Sequence, residues 1–452
     1  MDIRETEWRE PLAAFAPFSS EPHAVLLDSG ASTAAAPWSF LCVRPASTIE
    51  RRGGKTLIDG APDSQSPFSA LRRLHERRKL TEAFAAPPLA SGLVGFAGYE
   101  CGALLEPRAT GPASTGLAPD LSFAAYDAIC CFDKAARRAF IAARNPDCAI
   151  EIETELGRVT RNVDLPSLYF AGSNFSAERY RKAVADVICR ILDGAIYQAN
   201  ISHRLSFKAD EPVDAFSLFS RAVAPSGASH GAFLNTGAAQ IVSLSPERFF
   251  SVTPNDAGRI IHAEPIKGTR PRGRAPDDDA RQARALLASD KDRAENIMIA
   301  DLTRNDLSRI CDDGSIREDA ICELMTLPTV HHLVSRISGR LSAEVTAVDA
   351  LAMLFPCGSV TGAPKIEAMR TIAEIETVGR GPYCGAIGYI DDRGGADFSV
   401  AIRTAIVEGR RVTVPVGGGV TLRSDPEAEY QETLDKAEWF FRAAGVDRTS
   451  VS

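Results

Sequence analysis

Three apolar runs late in the sequence constrain the fold more than any other feature. They are "YCGAIGYI" (383–390), "DFSVAIRTAIVE" (397–408) and "RVTVPVGG" (411–418), separated only by "DDRGGA" and "GR". Connections this short reach an antiparallel neighbour, whereas a parallel crossover takes roughly a dozen residues or more. The runs predict an antiparallel meander and argue against a chain of successive βαβ units. Earlier segments agree. "HAVLLDSG" (23–30) and "WSFLCVRP" (38–45) read as short strands, and "SPFSALRRLHERRKL" (66–80) carries a helical period. Ser176 can cap a helix whose apolar positions Tyr180, Ala183, Val184, Val187, Ile188, Ile191 and Leu192 keep a 3.6 period up to Gly194. "IYQANISHRLSF" (196–207) alternates, with Gln198, Asn200, Ser202 and Arg204 on one face. Residues 277–311 predict two helices or one broken helix, and Pro426 fits the first position of a last helix. Antiparallel strands interrupted by helices make the expected class α+β.

Charge narrows the function. The 452 residues carry a formal net charge of −8, which argues against nonspecific binding to nucleic acid or to an anionic membrane. An anionic substrate would need positive charge concentrated locally, from helix N-termini, a few Arg and Lys, or a metal. The ten cysteines form no C-x-x-C pair. The first residues lack a basic-then-apolar signal pattern, and no apolar run reaches the ~20 residues of a membrane span. The expectation is a cytoplasmic protein with free thiols.

Several clusters suggest chemistry, each with a plainer alternative. Glu429, Glu432 and Lys436 share one helix face. They suit either a divalent ion beside an anion-binding ammonium, or a solvated stripe with a Glu432–Lys436 ion pair. Asp292 and Glu295, again three apart, suit Mg²⁺ or an acidic first helical turn. Gly362-Ala363-Pro364 opens a helix, whose amides can face an anion. Arg403, read as mid-strand beside Ala401 and Ala405, calls for a carboxylate from protein or ligand. His332 and Glu247 read alone as a structural histidine and a surface acid. "EPIKGTRPRG" (264–273) seats Lys267 between rigid and flexible neighbours, as a basic loop, an anion cradle or a nucleophilic amine.

In this order, "GAIYQANIS", "SLSPERFF", "EPIKGTRPRG", "DKDRAENIMIADLTRNDLSRI", "HHLVSRISG", "GSVTGAPKIEAMRTIAEIE", "GPYCGAIGYID", "VAIRTAIV" and "GGGVTLRSDPEAEYQETLDKA" closely resemble the chorismate-utilising enzymes. That family includes the anthranilate, aminodeoxychorismate, isochorismate and salicylate synthases. The resemblance is dense over about 175–440 and looser before, through "VLLDSG" and "GLVGFAGYECG". It implies two face-packed antiparallel sheets with helices outside. An N-terminal portion (1–165) would interleave with a chorismate-binding region (166–445), ahead of a short tail (446–452).

The resemblance also implies roles. Lys267 stands where anthranilate synthases carry Ala, and "PIKGT" is similar to the aminodeoxychorismate synthase pattern. Thr361 stands where anthranilate synthases favour Ser. Gln198 stands where isochorismate and salicylate synthases keep a water-activating Lys. The implied reaction is amination of chorismate by ammonia to 4-amino-4-deoxychorismate, towards p-aminobenzoate and folate. Lys267 would be the nucleophile at ring C2 and Glu247 the general acid. Glu295 and Glu432 would bind Mg²⁺, with Asp292 and Glu429 as their outer companions. Arg403 and Tyr389 would grip the enolpyruvyl carboxylate. Gln198, Thr269, Gly362, Gly418, Gly419 and Lys436 would contact substrate, and Thr361 and His332 would be catalytic, with His332 near the ring. Ammonia would come from a glutamine amidotransferase subunit. The alternatives are an anthranilate synthase component, or an inactive chorismate-binding subunit. "LLDSG" (26–30) resembles the segment that binds tryptophan in anthranilate synthases.

Overall fold

A computed structural model describes residues 1–30, 37–80, 87–156, 158, 163–256, 258–327 and 330–451. Its strands form two sheets of twelve, with every pairing antiparallel; eleven strands of each follow one path, and Gly362–Ala363 in the first and Arg317–Thr326 in the second pair off it. The first sheet runs, from one edge, through Asp2–Thr6, Arg138–Ala143, Ala128–Asp133, Trp38–Cys42 and Val25–Asp28. It continues through His230–Asn235, Gln240–Ser245, Thr404–Glu408, Arg411–Val420 and Gln198–Lys208 to Tyr169–Ser173. The second begins at Ile266–Pro271 and passes through Val330–Arg340, Gly258–Ala263, Arg248–Asn255, Ala396–Val400 and Ala386–Asp391. It ends through Gly92–Ala97, Leu121–Tyr126, Ser47–Arg52, Lys55–Ile58 and Ala61–Asp63. Each sheet thus mixes strands from the first 165 residues with strands from beyond residue 200.

Side-chain alternation explains why the sheets stack. Along Val25–Asp28, Val25 belongs to one apolar cluster and Leu26 to another, because successive side chains leave opposite faces of a strand. Val25, Phe40, Val94, Phe96, Ile241 and Tyr389 belong to a middle core contributed by both sheets. Leu26, Leu41 and Val184 lie in the layer between the first sheet and its helices. Leu93, Phe398 and Leu351 do the same on the second. The result is helix, sheet, sheet, helix, which is the α+β arrangement expected.

The predicted helices form with the predicted caps. The Ser176 hydroxyl accepts the Arg179 N–H at the start of Ala177–Leu192, whose buried face is Tyr180, Ala183, Val184 and Val187. Residues 277–311 are two helices, Pro276–Leu287 and Asp290–Ser308, the second capped by Ser289.

The meander requires correction. Ala386–Asp391 pairs with Ala396–Val400 in the second sheet, but Thr404–Glu408 pairs with Arg411–Val420 in the first. The run 397–408 is two strands. Between them the chain changes sheet at Ala401–Arg403, where Arg403 takes φ +50, a left-handed value that ends strand geometry. A second crossing runs the other way at Pro246–Glu247, between Gln240–Ser245 and Arg248–Asn255. The crossings are tied together: Val400 N–H donates to the Glu247 carbonyl at 3.1 Å, and Leu244 N–H to the Arg403 carbonyl at 3.0 Å.

Candidate active site

A cavity of about 1010 Å³ opens at this double crossing. Both crossings supply a residue to it. Glu247 is 5% exposed, and its Oε1 has no hydrogen-bond partner among the described residues. Burial raises its pKa, opposed by the Ser359 hydroxyl and the Lys267 ammonium, so the carboxyl holds its proton to higher pH than an ordinary glutamate. Arg403 makes no ion pair with a described residue, and burial lowers its pKa. A half-buried guanidinium without a protein carboxylate is a seat for an anionic group.

The edge strand Ile266–Pro271 brings in Lys267 and Thr269. Its pairing with Val330–Arg340 slips between Ile266 and Thr269, at Gly268 with φ +85. A bulge of this kind re-aims side chains. Lys267 Nζ donates to the Ser359 carbonyl at 3.1 Å. Thr269 Oγ1 lies 2.8 Å from His332 Nδ1, while His332 Nε2 has no described partner. Burial and the nearby Arg403 push the His332 pKa down to about 4, so the ring is neutral at pH 7 and serves as a hydrogen-bonding group.

The neighbouring wall is the strand Gln198–Lys208 lying against Arg411–Val420. Gln198 is fully buried, and neither end of its amide has a described partner. A Cβ added at Gly419 would stand 2.8 Å from Gln198 Nε2 and 3.4 Å from Lys267 Nζ. The absence of a side chain at 419 therefore keeps open the space that both groups face. At Gly418 the same atom would lie 3.0 Å from Glu429 Oε2 and 3.8 Å from Lys436 Nζ.

Two helices contribute the four acids to one side of the cavity, Asp292 and Glu295 from Asp290–Ser308, Glu429 and Glu432 from Pro426–Lys436. Asp292 pairs with Arg270 at 3.0 Å and Glu432 with Lys436 at 2.7 Å, so the ion pair considered as an alternative is present. Glu429 accepts from the Ser424 hydroxyl at 2.6 Å. Glu295 has Lys291 3.9 Å away and accepts from the Thr421 hydroxyl at 3.4 Å. Burial raises its pKa against the opposing charges of Lys267 and Lys291, and the carboxylates of Asp292 and Glu432 add to the rise. Among the described residues no three His, Cys, Asp or Glu side chains stand close enough to cage a metal by themselves. An open pair of carboxylates is nevertheless the donor set Mg²⁺ accepts, since it completes its shell with water and ligand oxygens.

Three sequence expectations fall elsewhere. Tyr389 belongs to the middle core, its ring 5.5 Å from that of Phe40, and it faces a separate cavity of about 780 Å³ that Asp28 and Ser29 also line. The tyrosine beside Arg403 in the main cavity is Tyr383. The two tyrosines are an even number of residues apart, so strand parity cannot separate them. Cys384, at φ +61, turns the chain between them. Thr361 turns its hydroxyl into its own loop, donating to the Cys357 carbonyl at 2.9 Å, and its carbonyl accepts the Asn200 N–H at 2.7 Å. Its role here is to hold the wall. Gly362 does likewise: it pairs with Ala199 at φ +147, where an added Cβ would stand 2.0 Å from the Gln198 carbonyl oxygen. Gly362→Ala is therefore expected to cost about 3 kcal/mol through overpacking and strain. Chemical denaturation measures this, and a midpoint equal to wild type would contradict the pairing.

Sequence reasoning also missed Asn200 and Ser359 as wall residues. The alternation of 196–207 placed Asn200 on the same face as Gln198, which was the available signal.

The chorismate binding enzyme family matches residues 22–442. Aminodeoxychorismate synthase component 1 of Klebsiella aerogenes is 35% identical over 441 residues, covering 95% of this chain and 96% of that one. Anthranilate synthase component 1 of Streptomyces coelicolor is 34% identical over 456 residues, covering 94% and 85%. The crystal structure of anthranilate synthase component I from Streptococcus pneumoniae TIGR4 superposes with a TM-score of 0.80 at 30% identity, covering 90% of this chain and 93% of that one.

Proposed function

This chain belongs to the chorismate binding enzymes, and we propose that it aminates chorismate to 4-amino-4-deoxychorismate through a covalent Lys267 intermediate. The observation that carries the reading is the placement of Lys267 Nζ in the cavity, 3.1 Å from the Ser359 carbonyl, with the buried Glu247 carboxyl lining the same space. An amine and a carboxyl that holds its proton to higher pH than usual, facing one cavity, suit substitution of a poor leaving group.

The amine of Lys267 attacks ring C2. The ring diene shifts, the C4–oxygen bond breaks, and the hydroxyl takes the Glu247 proton and leaves as water. Ammonia then adds at C4, the diene shifts back, the lysine amine is expelled, and a proton from the added nitrogen returns to Glu247. Arg403 and Tyr383 receive the enolpyruvyl carboxylate. Thr269 holds the neutral His332 ring beside the substrate. Glu295 and Glu432 would hold Mg²⁺, with Asp292 and Glu429 supporting them, and the ion would neutralise the ring carboxylate. Lys436 remains beside Glu432 as a second cation. The ammonia donor is a glutamine amidotransferase partner in this reading.

The test is product identity. The purified chain with chorismate, Mg²⁺ and ammonium is expected to yield aminodeoxychorismate as its main product. The similarity to anthranilate synthases at nearly equal identity makes anthranilate the competing outcome, and its predominance would overturn the assignment. Glutamine without a partner is expected to give no product above background.

A further inference from the structure

Behind the wall that faces Lys267 lies a fully buried guanidinium. Arg380 has 2% side-chain exposure and pairs with Glu376, itself buried, at 2.6 Å. Its Nη1 donates to the Val360 carbonyl at 2.9 Å and its Nη2 to the Asn200 carbonyl at 2.5 Å. These carbonyls belong to the two backbone segments that build the Lys267 wall. Val360 follows Ser359, whose carbonyl accepts from Lys267 Nζ. Asn200 lies two residues beyond Gln198 on the strand whose glutamine faces the same space. Glu376 completes the clamp: its Oε1 also accepts the Ser202 N–H at 2.8 Å and the Ser202 hydroxyl at 3.0 Å.

Arg380 is itself held from the N-terminal portion. Its guanidinium lies 4.4 Å from the centre of the Tyr99 ring. The Glu100 carboxylate accepts the backbone N–H of Arg380 and, at 2.8 Å, that of Gly381. Glu100 thereby anchors the backbone, and Tyr99 covers the guanidinium, of a residue whose side chain spans both backbone segments of the wall. A single planar group with several fixed donors bridges two carbonyls and a carboxylate, a geometry that a lysine ammonium cannot reproduce. A buried charge this far from solvent persists only where such partners compensate it.

We infer that Arg380 is a positioning residue for Lys267: by tying the Val360 and Asn200 carbonyls together it sets where the amine stands relative to the substrate ring. The inference rests on the reading of Lys267 as nucleophile. A displacement of about 1 Å at a reacting atom lowers turnover by roughly a hundredfold without a matching loss of binding. A purely structural arginine would instead lower stability, with binding and turnover falling together.

The experiment compares wild type, Arg380→Lys and Glu376→Gln in the full chain with chorismate, ammonium and Mg²⁺. Turnover, KM and the rate of adduct formation at Lys267 without ammonia, followed by intact mass, are measured. For Arg380→Lys, kcat and the adduct rate are expected to fall by about 30-fold or more while KM stays within about threefold. Glu376→Gln should move both quantities in the same direction by a smaller factor. A folded Arg380→Lys with kcat within about twofold of wild type would overturn the inference. So would a loss of kcat matched by a loss of chorismate binding. If Arg380→Lys does not fold, Glu376→Gln decides: an unchanged adduct rate overturns the inference, and a reduced one at constant KM supports it. Failure of the underlying reading is separate, because it appears as wild-type turnover in Lys267→Ala.

Discussion

Replacing Lys267 by alanine is expected to lower aminodeoxychorismate formation by roughly 10³-fold or more while chorismate affinity changes only a few-fold. The asymmetry follows from what the amine does. Its ground-state contact is one hydrogen bond to the Ser359 carbonyl at 3.1 Å, so its loss removes little ground-state binding. As the proposed nucleophile it contributes covalently only beyond the ground state, and that contribution would vanish in the alanine variant. Intact-mass analysis of wild type with chorismate and no ammonia should show an adduct on the peptide containing Lys267, absent from the alanine variant. The vacated space also admits ammonia directly to C2, so traces of the anthranilate-type product are expected. Wild-type rates in the alanine variant would reduce the lysine to an electrostatic role.

Chelation is expected to abolish turnover, and added Mg²⁺ to restore it. Burial raises the Glu295 pKa against the opposing charges of Lys267 and Lys291, and two further carboxylates, Asp292 and Glu432, raise it again. A dianionic substrate on that side of the cavity would increase the repulsion, and a divalent ion would remove it. Binding the ion favours the ionised carboxylate, so protons are released and apparent Mg²⁺ affinity should rise with pH through the titration of Glu295. Glu295→Gln and Glu432→Gln should reproduce the chelated state. Glu429→Gln, which stands behind, should weaken Mg²⁺ binding by about 10–100-fold in calorimetry. Undiminished turnover in a metal-free preparation would exclude this arrangement.

The parts of the site carried by local pattern were legible in the sequence. Helical spacing placed Asp292 with Glu295, and Glu429 with Glu432, and the structure sets all four on one cavity. The strand alternation of 196–207 put Gln198 on the inner face, where it is fully buried. Arg403 reached the cavity by a different route from the one expected. It was read as one residue of a continuous strand, yet its backbone at φ +50 is where the strand ends and the chain changes sheet. Nothing in "VAIRTAIV" signals a left-handed arginine, because the backbone adopts it to satisfy tertiary contacts. The same kind of turn at Cys384 defeated the choice between Tyr383 and Tyr389. The order of strands in each sheet was beyond reach for a related reason: partners lie far apart in the chain, and local propensity carries no information about them.

That separation has a consequence for how the protein is made. The Ala90 N–H finds its acceptor, the Asp391 carboxylate, 301 positions later, and Gly92–Ala97 waits for Ala386–Asp391 to supply one of its two neighbours. At roughly 5–20 residues per second, a ribosome needs about 15–60 s to deliver that partner. Throughout that interval the strand Gly92–Ala97, apolar on both faces, stands as an unpaired edge open to other nascent chains. Abundant chaperones should therefore raise the yield of soluble chain more than a stabilising surface substitution does, because the hazard belongs to synthesis and ends once residue 391 has emerged.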